Sequence, residues 1–414
     1  MVFLTRRRQV AAKVESTRGT AETLDATNNI PRISNIKWTP NILSTERPLN
    51  RNSLTPFPNL VPGQTTGQLT FDVECAGNSS MVTGGGAFDG PRFAPLLRGV
   101  GLEEVTVKRL VIGDVTTATF RHGETVSQGT TGTGVCVADT FTNADAIFLE
   151  ETVGTLTGSA TLTGATSGAH ATPTSVFSDT YKAYRLQSDP DSMESITIAA
   201  YVDGKIIKLE GAMGTCEWTF QHGAPVLMSY TFDGIQTSYT DGALLTAAAI
   251  QEGQYQPKAF FSAATTFSVT DGTNNYGTGV TDAAGPLNSM TLALGNDVML
   301  RENSLAAAGG LDYAVITDRS PTGSFNPDEL LSATYDWISS FTGGTTNTMR
   351  VIQGTTSGNI FEFHVPGIVF SGMSDGDREG IFIWDASFDM SGGNYDTLPT
   401  ETPGTDNEFV LIYR

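Results

Sequence analysis

The sequence predicts a mainly β protein in which one sandwich fold is used twice in tandem, each copy with a flanking helix. Three observations carry that expectation. The 45 glycines, the abundant threonines and the low charged fraction of 16% favour many short strands and turns over long helices. Gln68–Cys75 alternates apolar and polar residues, the pattern of a strand wet on one face, with Phe71 and Val73 directed to the core. A set of landmarks also recurs in the same order. Arg51-Asn52-Ser53-Leu54 returns as Arg301-Glu302-Asn303-Ser304-Leu305, and the strand Leu69–Cys75 with the helix at Pro91–Val100 matches Tyr313–Thr317 with Pro327–Phe341. A strand pair closes each half: Gly204–Leu209 with Tyr230–Asp233, and Gly358–Phe363 with Ala386–Asp389. At 414 residues the chain is long enough for two or three domains with cores of their own.

In chain order, residues 1–60 read as an extended arm with the first strands. Pro31, Pro40, Pro48, Pro56 and Pro58 forbid a long helix, while Arg32–Trp38 alternates like a half-buried strand. Residues 61–235 form the first domain. Its helix starts at Pro91, which a first helical turn tolerates, and ends near Gly99. Gly-bounded alternating strands within 118–175 read as a small β-hairpin module inserted at a loop, where insertions cost little. Residues 236–257 are the linker, helical-looking over Ala243–Gln251, and 258–414 form the second domain. There Asn326 is placed to cap a helix, Pro327 to open it, Asp328 and Glu329 to meet its positive end, and Leu330, Leu331, Tyr335 and Ile338 to form its apolar stripe.

The net charge of −20 is uneven: residues 1–109 carry 13 Lys/Arg against 9 Asp/Glu, and from Lys258 onward the counts are 6 and 19. Such an acidic chain is unsuited to a sequence-independent grip on nucleic acid. Cys75, Cys136 and Cys216 are isolated and read as buried free thiols. The N-terminus has its arginines after a very short apolar run, the reverse of a secretory signal, and no run approaches a membrane span, so a soluble protein from a reducing compartment is expected. His122, His170, His222 and His364 lie in no metal-ligand spacing, and Gly84–Gly86 lacks the ending of a phosphate-binding loop. Asp375, Asp377 and Glu379 fit a charged hairpin turn better than a calcium loop. With no nucleophile beside a base, the expectation is a protein that is not an enzyme and has no cofactor.

The order of these segments resembles the tail tube proteins of long-tailed bacteriophages, in their two-domain form. The resemblance rests on Lys13–Ala21, Thr70–Glu74, Pro95–Leu102, Asp203–Gly214, Leu292–Asp297, Ile316–Ser324, Asn326–Asp328, Gly376–Gly380 and Asp406–Phe409, and spans nearly the whole chain except 118–175. It implies tandem tail-tube-type sandwiches whose sheets join those of neighbours into a ring-forming barrel. Single-domain relatives form six-membered rings, so a two-domain chain implies a trimeric, pseudo-sixfold ring. It further implies stacking into a virion tail tube that passes double-stranded DNA without binding it, with a tape measure protein, a tail terminator and distal tail or baseplate proteins as partners, and no membrane. Closing a sheet around a ring removes its open edges, and a top-to-bottom contact that does not close builds a filament. Alternation places Glu362 and Asp385 on wet strand faces as candidates for an acidic lumen. The arm, with Arg6, Arg7, Arg8, Lys13 and Trp38, is the candidate for a contact between stacked rings. The competing reading is a β-rich decoration or adhesin protein that binds host-surface glycans.

Overall fold

The computed structural model describes all residues except 1–3, 5, 47–51, 53, 55–59, 78–89, 114–119, 140–145, 247–254, 261–264, 271–274, 279–282, 304, 306–309 and 392–407. The chain is mainly β. Strands β1 (Arg8–Val14), β2 (Asn29–Ile30), β3 (Ile33–Glu46) and β4 (Leu60–Glu74) precede helix α1 (Ala94–Gly99). Then come β5 (Leu102–Ile112), β6 (Thr125–Gln128), β7 (Gly132–Asp139), β8 (Ala146–Gly154), β9 (Leu162–Gly164), β10 (His170–Ala171) and β11 (Pro173–Leu186). The first half ends with β12 (Ile196–Val202), β13 (Lys205–Gln221) and β14 (Leu227–Asp241). The second half contributes β15 (Thr265–Thr270), β16 (Asn275–Thr278), β17 (Ala283–Ala284), β18 (Leu287–Ala293), β19 (Asn296–Glu302), β20 (Leu311–Arg319), β21 (Thr322–Pro327), helix α2 (Trp337–Thr342), β22 (Asn347–Gln353), β23 (Phe361–Arg378), β24 (Ile381–Ser391) and β25 (Val410–Tyr413).

Hydrogen-bonded neighbours give the two halves the same strand order. In the first it is β3-β4-β14-β13-β12-β1-β2, and in the second β18-β21-β24-β23-β22-β15-β16, with antiparallel pairing throughout. The registers correspond as well. Gly214 faces Phe232 and Phe232 faces Leu69, while Phe370 faces Phe388 and Phe388 faces Gly323. The expected match of Leu69–Cys75 with Tyr313–Thr317 is therefore shifted: the counterpart of that part of β4 is β21. The cause is a break in the second half. Its long hairpin bends at Gly295, whose φ of 61° suits glycine, so that β19 and β20 separate from β18 and β21 as a two-stranded flap.

Alternation buries one face of each sheet. Phe71, Val73, Trp218, Phe220, Tyr230, Phe232, Leu292, Phe325, Phe363 and Phe388 share one core that crosses both halves. Leu96 and Leu97 of α1 join it, and the helix ends at Gly99 as expected, where a Cβ would stand 2.9 Å from Ile196 Cδ1, so the glycine also allows close packing. Pro95, not Pro91, lies in the first helical turn. Strands β6 to β10 surround a second core of Phe120, Val126, Cys136, Leu149, Leu156 and Leu162. Buried Glu124 organises their loops, accepting from the amides of Arg121 (2.6 Å), Thr166 (3.1 Å) and Ser167 (2.9 Å). Cys75, Cys136 and Cys216 are buried and free.

Three local expectations are corrected. Residues 326–336 form no helix: Asn326 lies in β21 and accepts the amides of Asn288 (3.2 Å) and Ser289 (2.9 Å), Asp328 binds Arg378, and Leu331 is 80% exposed. Only the last part of the expected helix forms: α2 starts at Trp337, nearly three turns after Pro327, capped by Asp336, which accepts the amide of Ser339 at 2.9 Å. The N-terminal segment is built into the first sheet rather than reaching away from it, because Val10, Ala11 and Ala12 are fully buried between β12 and β2. Ala243–Thr246 has no helical conformation, and the rest of that expected helix lies outside the described residues, as do Gly84–Gly86.

Two buried histidines set an acid limit on the fold. His122 has its pKa lowered to about 3 by burial and by the neighbouring His364, and burial also lowers that of His364. Both depressed groups are neutral when folded, so their contribution is complete above the unfolded value near 6.5 and is lost as pH falls below it. Folding stability, and the melting temperature with it, should therefore decline from pH 6.5 towards pH 4.5, the His122 part with a slope approaching about 1.4 kcal/mol per pH unit. His122→Phe, followed by differential scanning fluorimetry, should flatten that decline; an unchanged slope would show that the proton uptake lies elsewhere.

Candidate subunit junction and acidic sheet face

Strand β13 is long enough to serve two sheets. Its first part pairs with β12, while Glu217–Gln221 passes beyond β12 and pairs with Ala293–Ser289 of β18. The two halves thereby fuse into one continuous sheet of eight strands, β3-β4-β14-β13-β18-β21-β24-β23. The sheet is not closed into a barrel within the chain. Its termini are edges: β3 pairs only with β4, and Phe370–Arg378 of β23 pair only with β24 among the described residues. Such edges present unpaired N–H and C=O groups in register for another strand.

Large side chains seal the internal seam. Trp218 stands opposite Leu292 and Phe220 opposite Met290, all fully buried. The Trp218 ring lies 5.0 Å from Phe409 and 6.0 Å from Phe363, and Phe220 lies 5.1 Å from Phe363. The flap β19–β20 adds a second tie. Val298 and Leu300 pack with Ala314 and Ile316 on Met193 and Met213, and Asn296 Nδ2 donates to the carbonyls of Val100 (2.8 Å) and Gly214 (2.9 Å).

The two faces of this sheet differ sharply in chemistry. One is the aromatic core; the other carries small hydroxyl residues and the carboxylates of Asp72, Glu217, Asp233, Asp385 and Asp389, with Lys37 at one edge and Arg378, held by Asp328, at the other. Asp385, expected on a wet face, is exposed there. Glu362 is not. It is fully buried, because its face of β23 is shared with Val410 and Ile412 of β25 and covered by Phe148, whose ring is 6.2 Å from His364. Glu362 instead binds Arg350 (3.2 Å), His364 (3.2 Å) and the Nε of Arg414.

The expected arm residues are distributed over the first sheet and its approach. Arg6 is exposed in a turn, Arg7 pairs with Asp203 at 2.7 Å, and Lys13 pairs with Glu22 at 2.7 Å. Arg8 donates to the carbonyl of Ile36 and so bridges β1 to β3. Trp38 stacks on Tyr239 with ring centroids 5.5 Å apart, and Lys205 lies over the Tyr239 ring at 5.3 Å. Arg8, Trp38, Val202, Lys205, Ile207 and Tyr239 line an open groove of about 300 Å³ beside β3 in the first half. Sequence reasoning selected Arg8 and Trp38 but not Tyr239 or Lys205, which only the fold brings beside them.

Among the described residues no group of three or more His, Cys, Asp or Glu is placed to hold a metal ion, and no helix is long and apolar enough to cross a membrane. Compared with known proteins, the chain matches no family model and no curated sequence.

Proposed function

We propose that this chain is a structural subunit that assembles with copies of itself into stacked hollow rings, the tail tube of a long-tailed bacteriophage, through which the genome passes. One observation carries the reading: a continuous eight-stranded sheet runs across both halves, ends in two open edges and bears carboxylates on its wet face. The internal joint β13–β18 is a head-to-tail contact between two like modules, and repetition of such a contact closes a ring when the rotation allows. Three copies supply six modules. With strands about 4.8 Å apart and tilted by roughly 40°, their sheets would enclose a barrel on the order of 45 Å across between backbones, leaving room for a duplex.

The wet face suits that passage. DNA carries a phosphate charge about every 1.7 Å of its axis, and at about 0.1 M salt charges act across roughly 10 Å. A wall of carboxylates cannot replace the counterions of DNA, so the duplex would slide without being held. Negative-stain microscopy of the purified full-length chain should reveal hollow rings or tubes, with three copies per ring by mass measurement. Persistent monomers at every concentration would reject the proposal, and monomers that bind immobilised glycans would favour an adhesin instead.

A further inference from the structure

We infer that the ring closes by insertion of the β23–β24 hairpin of one copy into the groove beside β3 of the next, so that Asp375, Asp377 and Phe382 fill the space under Trp38. This rests on the self-assembly reading above and assigns its contact surface.

The joint already present within the chain is the template for this contact. The shared register makes Ile207 the counterpart of Phe363, Trp38 that of Leu292, and Ile36 that of Met290. The groove of the first half therefore has a counterpart in the second half, and that counterpart is full. Trp218 and Phe220, from the β13–β14 hairpin of the first half, stand on Leu292 and Met290 and pack against Phe363. The residues of the second half at the positions of Trp218 and Phe220 are Asp375 and Asp377, since Trp218 faces Met228 four residues before Phe232, and Asp375 faces Trp384 four residues before Phe388. Asp375 and Asp377 are exposed, and so is Phe382, which faces Asp377. A socket without its plug lies at one end of the chain, and a plug without its socket at the other.

The chemistry agrees with a swap of partner. Where the internal plug is aromatic and its socket apolar, the open plug is acidic and the open socket contains Arg8 and Lys205. Arg8 Nε has no hydrogen-bond partner among the described residues, and a carboxylate at Asp377, which would stand opposite Ile36, comes beside it. Phe382 and Ile381 are about half exposed, and the aromatic pair Trp38–Tyr239 offers the apolar surface to cover them. The pairing also removes both open edges, placing Lys37 opposite Gly376 as Thr219 stands opposite Thr291.

The hairpin can meet this demand as it stands. Its turn is the tight pair Glu379–Gly380, with φ of 52° and 88°, and the Gly380 amide donates to Asp377 Oδ1 at 3.1 Å. Trp384 Nε1 is anchored on Glu329 and Arg378 on Asp328, so the protruding end is braced from its own domain.

The test uses the full chain with Ile36→Cys and Asp377→Cys together. Residues opposite each other in an antiparallel pair have Cβ atoms about 4.5–5.5 Å apart, close enough to crosslink, and the three native cysteines are buried. Mild oxidation should convert the double variant into covalent dimers and trimers on a non-reducing gel, while the shifted pair Ile36→Cys with Glu379→Cys should yield at least tenfold less. In parallel, Asp375→Lys with Asp377→Lys should abolish rings, and adding Arg8→Glu should restore them, an outcome that misfolding cannot produce. Rings of the wild-type chain without the crosslink, or with equal crosslinking in the shifted pair, would overturn this assignment and leave the tube reading standing. If the wild-type chain forms no rings, both fall.

Discussion

Trp218→Ala should destabilise the chain by about 3–5 kcal/mol, a range typical of buried tryptophan or phenylalanine truncated to alanine. Trp218 is fully buried, stacks at 5.0 Å on Phe409 and meets Phe363 edge-on at 6.0 Å, so its removal leaves a cavity walled by aromatic groups from the other half. These walls are held by β23 and by the segment entering β25, and neither collapses easily into the space. The effect should be specific in form as well as large. Because Trp218 seals the β13–β18 seam, urea unfolding followed by tryptophan fluorescence and by far-ultraviolet dichroism should separate into two transitions in the variant. Glu217→Ala, one residue away in the same seam but with its side chain exposed on the wet face, removes no packing from the core and should stay within about 0.5 kcal/mol of wild type. A loss below about 1 kcal/mol for Trp218→Ala would mean that the halves are held together elsewhere.

What the sequence makes legible follows from what periodicity can express. Phe71 and Val73 point to the core because alternation assigns a residue to one of two faces, and the closing pairs at Gly204 and Gly358 mark the hairpins β13–β14 and β23–β24. The acidic stretch 375–380 ends a hairpin strand and supplies its turn, because Glu379–Gly380 has the chemistry of one. Alternation does not say what covers a face. Glu362 and Asp385 both alternate as wet-face residues, yet β25 and Phe148, distant in sequence, enclose the first and leave the second exposed. The expected helix at 327–341 forms only from Trp337 for a related reason: Asn326 and Pro327 are good helix-start residues, but the Phe325 ring completes a cluster with Phe267, Trp337 and Phe388, and that packing holds both residues in β21. The groove was half legible. Trp38 and Arg8 lie in segments that signal strands, whereas Tyr239 and Lys205 reach them only through the register of β13 on β14.

Glu362→Ala should be the most damaging single change on the opposite face of β23, costing about 3–5 kcal/mol, the usual consequence of removing one partner from a buried ion pair. Glu362 is fully buried, and Arg350 and Arg414 are mostly so, with side-chain exposures of 11% and 19%. Burial pushes the Glu362 carboxyl up, but the hydrogen bond from His364 and the charges of Arg414 and Arg350 outweigh it and hold the group well below the ordinary carboxylate range. A depressed pKa stabilises the fold above the unfolded value of about 4.5 and loses that effect as pH falls through the folded value. Glu362→Gln keeps the shape and removes the charge, so the variant should lack the part of the wild-type acid loss that lies below pH 4.5 while retaining the histidine part above it. The position of the cluster sets its wider consequence. Arg414 directly follows β25, and Ile360 and Arg414 exchange both backbone hydrogen bonds at 3.0 Å, so Glu362 fastens this strand where β25 joins β23 to β11. Arg414→Ala should accordingly reproduce a large share of the Glu362→Ala loss in urea unfolding, and a double variant should lose less than the sum. Strictly additive losses would show that the two groups act independently and that β25 is held by its apolar face alone.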